Sequence, residues 1–113
     1  MPKASSVAAA EVRDAAPLFF ALGDETRLRL LLQLAKGPES IARLIDASPV
    51  SRQAVTKHLT VLARAGLVRD DWRGRERVWR LEQERLAEAR DYLERISRQW
   101  DDALARLKRF VEG

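Results

Sequence analysis

The chain has 113 residues, 21 Lys+Arg against 17 Asp+Glu for a formal charge of +4, 46% hydrophobic residues and no cysteine. One core fits this length and two do not. The lack of Cys excludes disulfides, thiolate metal sites and Cys nucleophiles, and a single histidine, His58, leaves little for catalysis. No apolar run approaches the roughly 18 residues of a membrane span, and residues 1–10 lack the charged start and apolar centre of a secretory signal. The expectation is a soluble, cytoplasmic protein with no membrane partner.

The basic surplus is local. Residues 51–80 hold eight basic side chains (Arg52, Lys57, Arg64, Arg69, Arg73, Arg75, Arg77, Arg80) and three acidic ones (Asp70, Asp71, Glu76), a balance of +5, so the rest of the chain sums to -1. A total of +4 says little about partners, but a surplus confined to thirty consecutive residues points to a polyanion.

In chain order, residues 1–14 read as a flexible or weakly helical N-terminal arm. Pro17 suits the first turn of a short helix to about Leu22, with Phe19, Phe20 and Leu22 as its apolar surface. Gly23 ends that turn, Asp24 caps the next helix, and Leu28, Leu31, Leu32 and Ala35 recur at helical spacing until Gly37 and Pro38. A third helix is expected over about 39–47, burying Ile41, Leu44 and Ile45. Ser51 caps a fourth that runs to Ala65 and stops at Gly66. Its apolar face is Ala54, Val55, Leu59, Leu62 and Ala63; its polar face is Arg52, Gln53, Thr56, Lys57, Thr60 and Arg64. Strands over 67–72 and 78–81 then flank a hairpin tip, Arg73-Gly74-Arg75-Glu76, where Gly74 supplies the positive φ. Trp72 and Trp79, on these paired strands, are expected to pack the hairpin onto the core.

From about 84 to 112 the periodicity is cleanest. Leu86, Ala89, Leu93, Ile96, Trp100, Ala103, Leu107 and Phe110 alternate spacings of three and four, a heptad seam sustained over more than three heptads. A helix this long outruns so small a core, so a second copy of the chain is the expected cover; the competing account is an amphipathic helix folded back on its own core. The domain reading is thus an arm (1–14), a DNA-binding unit (15–82) and a dimerisation helix (83–113).

Two short helices with a tight turn between them, the second polar on one face, followed by a basic hairpin, lay out a winged helix-turn-helix. Four blocks in order make the likeness specific: Phe20-Ala21-Leu22-Gly23-Asp24-Glu25-Thr26-Arg27-Leu28-Arg29-Leu30-Leu31, then Ser51-Arg52-Gln53-Ala54-Val55-Thr56-Lys57-His58-Leu59-Thr60-Val61-Leu62, then Ala65-Gly66-Leu67-Val68, then Gly74-Arg75-Glu76-Arg77-Val78-Trp79-Arg80-Leu81. Across residues 16–81 the chain resembles the ArsR family of bacterial transcriptional repressors, with a weaker echo over 100–111.

That resemblance implies a mostly α fold with a small β-hairpin wing, and a homodimer joined through its first and last helices. Such a dimer sits on a palindromic operator in double-stranded DNA until a ligand or metal releases it. The helix over 51–65 would enter the major groove, Arg52 pairing with guanine and Gln53 with adenine, while Ser51, Thr56 and Lys57 reach phosphates and Thr60 lies on the same face. Arg73, Arg75 and Arg77 of the wing would flank the backbone or the minor groove. Phe19, Leu86, Leu93, Ile96, Trp100, Leu107 and Phe110 would form the dimer contact.

His58 borders the apolar face and reads as a helix-packing residue. Metal-sensing members of the family use Cys near the helix-turn-helix or His and Asp pairs in the last helix; here residues 41–47 are Ile-Ala-Arg-Leu-Ile-Asp-Ala and the last helix has no His, so no metal or cofactor is expected. Asp70-Asp71 and Asp101-Asp102 read as surface charges. A small-molecule effector pocket lined by Tyr92 and Trp100 is weighed against plain packing. A winged-helix protein-interaction module without operator binding is the alternative function; it calls for an uncharged or acidic recognition face, which Arg52, Lys57 and the wing arginines contradict. Nothing supports an enzyme: there is no Ser/His/Asp arrangement and no glycine-rich phosphate loop.

Overall fold

In the computed structural model, which describes residues 7–112, five helices and a three-stranded sheet follow in the order α1 (Ala9–Leu22), α2 (Glu25–Leu34), β1 (Glu39–Ser40), α3 (Ile41–Asp46), α4 (Arg52–Arg64), β2 (Val68–Arg73), β3 (Glu76–Leu81) and α5 (Gln83–Glu112). Local chemistry sets most of these boundaries. The carboxylate of Asp24 accepts from the Arg27 N–H at 3.1 Å to start α2, and the hydroxyls of Ser40 and Ser51 accept from the N–H groups of Arg43 (3.3 Å) and Ala54 (3.1 Å) to start α3 and α4. Gly66, at φ 78, ends α4: its N–H reaches the Ala63 carbonyl and that of Leu67 reaches Leu62, a closing turn that a side chain at position 66 would strain.

Leu18 and Ala21 of α1, Leu30, Leu31 and Leu34 of α2, Leu44 of α3 and Val55, Leu59 and Leu62 of α4 meet Leu67, Val68, Trp79 and Ala89 in one core. The antiparallel sheet has the order β1-β3-β2, with Arg73 opposite Glu76 and only Gly74 and Arg75 in the turn. Gly74 sits at φ 63 while Arg75 has no positive φ, the sign pattern of a type II′ hairpin.

Four expectations change. α1 begins at Ala9, so Pro17 lies inside the helix and the arm is helical from that residue onward; residues 1–6 of the arm lie outside the described residues. Proline is tolerated because the bond it forfeits, to the carbonyl of Arg13, faces solvent, where both residues are exposed. Residues 39 and 40 form β1, pairing Glu39 with Trp79 and Ser40 with Val78, rather than the first turn of a helix. Ile41 and Ile45 are half-buried, leaving Leu44 alone fully inside. Trp72 is not packed on the core at all, being 68% exposed.

α5 divides in two. Its first turns pack on the chain itself: Ala89 is buried, Leu86 packs against the core, and Tyr92 meets Phe19 of α1 with ring centroids 5.4 Å apart. Arg95, held by Asp91 on its own helix, bridges to Glu11 and ties α1 to α5. Beyond the turns of Ile96 to Ala103, which share a groove with the start of α1, the helix stands clear. A 30-residue helix is about 45 Å long, and it stretches the molecule to 67 × 30 × 22 Å. The radius of gyration is 18.5 Å, against about 13 Å for a compact chain of this length.

Candidate nucleic-acid interface

The amphipathic pattern of α4 positions the candidate site. Val55, Leu59 and Leu62 are wholly buried, which turns Arg52, Gln53, Lys57, Thr60 and Arg64 outward along the opposite face, with Thr56 half-buried at its edge. Ser51 is engaged as the helix cap, though its hydroxyl proton stays available to an outside acceptor. The two threonines are committed differently: Thr56 donates to the Arg52 carbonyl (3.0 Å) and Thr60 to the Thr56 carbonyl (2.9 Å). In these rotamers they can accept from a ligand but cannot donate to a phosphate.

The wing sorts the basic residues further. Arg77 is half-buried, salt-bridged to Asp70, with its guanidinium 4.7 Å above the Trp79 ring. Arg69 pairs with Glu82 at 3.2 Å, and Arg80 with Asp71 at 3.6 Å. Among the described residues, the cations of 51–80 left without an ion pair are Arg52, Lys57 and Arg64 on α4 and Arg73 and Arg75 at the wing tip, all exposed. Two separate elements thus present uncompensated positive charge, whereas Arg77, grouped with them by sequence, spends its charge inside the protein.

A buried arginine that the periodicity does not reveal holds α4 in place. Arg27 is 8% exposed; its Nε donates to the Ala21 carbonyl at 2.6 Å and its Nη2 to Phe20 at 3.0 Å, satisfying the open C-terminal carbonyls of α1. Its Nη1 lies 3.2 Å from Nδ1 of His58 on α4. A guanidinium only donates, so that nitrogen accepts and the imidazole carries its proton on Nε2. Asp24 lies 3.8 Å from the same ring nitrogen, and its carboxyl is held below the usual range chiefly by the Arg27 backbone N–H, with the Arg27 guanidinium adding favourable charge. His58 is therefore a packing and positioning residue, tying the end of α1 and the start of α2 to the middle of α4.

The dimer candidates are scattered. Phe19 and Leu86 are half-buried within their own chain, and Ile96 is half-buried. Leu93, Trp100 (66% exposed), Leu107 and Phe110 (85%) are open. Leu104 and Val111, outside the three-four seam, are open beside them and widen the apolar stripe. Tyr92 and Trp100 do share a groove, completed by Val12 and Ile96 between α1 and α5.

A capped helix presented beside a basic two-stranded hairpin, both carried on a three-helix core, defines a winged helix-turn-helix protein of the DNA-binding class. Residues 22–71 match the family described as a helix-turn-helix domain. The chain is 39% identical over 93 residues to the HTH-type transcriptional regulator Rv2034 of Mycobacterium tuberculosis, covering 82% of this chain and 84% of the relative. It is 34% identical over 95 residues to the HTH-type transcriptional repressor SmtB of the same species, covering 83% and 69%. Among solved structures, the ArsR-like transcriptional regulator from Rhodococcus sp. RHA1 superposes with a TM-score of 0.87 at 38% identity, over 94% of this chain and 97% of that one. The chain belongs to the ArsR family of winged helix-turn-helix regulators and is a DNA-binding transcriptional regulator. Among the described residues no helix is long and apolar enough to cross a membrane.

Proposed function

We propose that the protein is a homodimeric repressor that acts in the cytoplasm by binding alone, closing a promoter by occupying a palindromic operator. Each protomer lays α4 in the major groove with Arg52 and Gln53 toward base edges, Lys57 and Ser51 on phosphates, and Arg73 and Arg75 on the flanking backbone or minor groove. The observation that carries this reading is the segregation of unpaired cations: every one between residues 51 and 80 lies on α4 or the wing tip, while the neighbouring arginines are neutralised by Asp70, Asp71 and Glu82. The exposed stripe of the distal α5 supports the homodimer, since an apolar face of that length is costly in water and a second copy offers the matching face. Twofold symmetry then sets two half-sites about one helical turn, roughly 34 Å, apart.

Footprinting the protein on the DNA upstream of its own gene, across a series of salt concentrations, tests the proposal. A symmetric protected site that weakens steeply with salt is the expected result. Protection without symmetry removes the dimer, and binding insensitive to salt removes the electrostatic interface.

A further inference from the structure

Trp72 is exposed for a reason that lies in the strand register. Residues opposite one another on paired strands share a face, and so do alternate residues along each strand. The pairs Val68 with Leu81, Asp70 with Trp79 and Trp72 with Arg77 therefore put Trp72 on the face that buries Val68 and Trp79. Towards the tip, however, the hairpin outruns the core. The side chain directly opposite the indole, Arg77, is drawn back by Asp70 and stacked on Trp79. What remains is a bare indole, 68% exposed, at the end of the hairpin that also carries the unpaired Arg73, turned to the other face of β2, and the unpaired Arg75 in the turn.

From this juxtaposition we propose that Trp72 is a nonpolar contact of the wing with duplex DNA, its indole lying against the deoxyribose wall of the minor groove beside the half-site. The inference rests on the DNA-binding reading above and adds to it a contact that charge alone does not supply. A nucleic-acid backbone alternates anionic phosphates with apolar sugar edges. Arg73 and Arg75 match the first and the indole matches the second, with its N–H left at the rim to meet a phosphate oxygen. The positive tip is the argument for DNA over an apolar protein partner: Arg73 and Arg75 outnumber the single unpaired acid there, Glu76 opposite Arg73, and Asp71 is already paired with Arg80. Because sugars are alike in every sequence, the contact raises affinity without choosing an operator, and because it is apolar it does not release counterions.

The test uses the full chain, its Trp72→Phe, Trp72→Ala and Arg75→Ala variants, and a fluorescent mixed-sequence duplex of about three helical turns, roughly 30 bp, titrated across a KCl series. Trp72→Ala is expected to bind about 100-fold more weakly at every salt concentration, the size expected from removing roughly 50 Å² of indole contact from a dry interface in each of two protomers, with the salt slope unchanged. Trp72→Phe keeps most of the affinity, and Arg75→Ala lowers the slope by about 2, one phosphate contact per protomer. Since Trp72 is exposed, thermal midpoints of the two Trp72 variants should match the parent. Parent-like binding by Trp72→Ala overturns the contact, as does a lowered salt slope in that variant. A changed sedimentation coefficient of Trp72→Ala also overturns it, by showing that the indole covers another copy of the chain. Failure of the parent protein to bind the duplex at all removes the DNA-binding reading itself, an outcome distinct from a salt-dependent parent titration that Trp72→Ala leaves untouched.

Discussion

The outer face of α4 and the distal half of α5 are both exposed helical surfaces, yet they are incomplete in opposite ways. On α4 the apolar residues are satisfied inside the core and the cations Arg52, Lys57 and Arg64 stand without acids. On distal α5 the charges are mixed in sign, Arg98 pairing with Glu94 and Lys108 with Glu112 and Asp101 and Asp102 lying among the remaining cations, while Trp100, Leu104, Leu107, Phe110 and Val111 stay in water. An unneutralised cationic face is at ease in water and gains by meeting an anion. An apolar stripe is not at ease, and gains by meeting its like. One surface therefore suits an intermittent, salt-sensitive partner and the other a standing one.

The sharpest break in that contrast comes from placing charge on the apolar surface. Trp100→Glu combined with Leu107→Glu should convert the protein to monomers in sedimentation velocity and weaken operator binding by at least 100-fold, since each half-site alone then carries the affinity. A double variant that stays dimeric would reassign the stripe. Arg52→Ala should lose on the order of 1–3 kcal/mol at the footprinted operator and little on random DNA; equal losses on both, read by anisotropy, would make Arg52 a phosphate contact. Arg27→Leu leaves the Phe20 and Ala21 carbonyls and His58 without their donor, and a loss of about 1–3 kcal/mol in urea unfolding is expected.

A finer discrimination lies within the basic set. Lys57→Ala and Arg75→Ala should each reduce the salt slope of DNA binding by about 2, one phosphate contact per protomer. Arg77→Ala should leave the slope nearly unchanged, because its charge is already met by Asp70, and should act on wing stability instead. The smallest effect concerns pH. Glu11, through its hydrogen bond to Arg95, and Asp24, through the Arg27 N–H, both have carboxyls held below their ordinary range. Their stabilisation is therefore complete above the unfolded carboxylate range and is lost as pH falls through the lower folded values. Thermal midpoints should drop in acid, and Glu11→Gln should flatten that dependence.

Much of this was legible in the chain. The caps at Asp24 and Ser51, the stop at Gly66, the hairpin centred on Gly74 and the faces of α4 follow from local geometry, which needs only a few neighbouring residues to act. The start of α1 was not legible, since Pro17 signals a first turn and only the solvent-facing carbonyl of Arg13 makes its interior position acceptable. Nor was β1, whose two residues are too few for any period and are strand only because β3 lies beside them.

The candidate surfaces divide along the same line. Sequence by itself determined the helix-turn-helix and wing, the concentration of positive charge between residues 51 and 80, and the apolar repeat of the last helix, because spacing and composition are properties of the chain alone. Tertiary structure decided which of those charges are free. Asp70 and Asp71 reach their arginines across strands, and Glu82 reaches Arg69 from just past the end of β3, a matter of register rather than of order along the chain. It likewise placed Arg27 under His58, thirty-one residues away, and left Trp72 bare where a reading of strands alone would bury it. Burial and pairing are set by what folds against a residue, and that is fixed only when the whole chain has closed on its core.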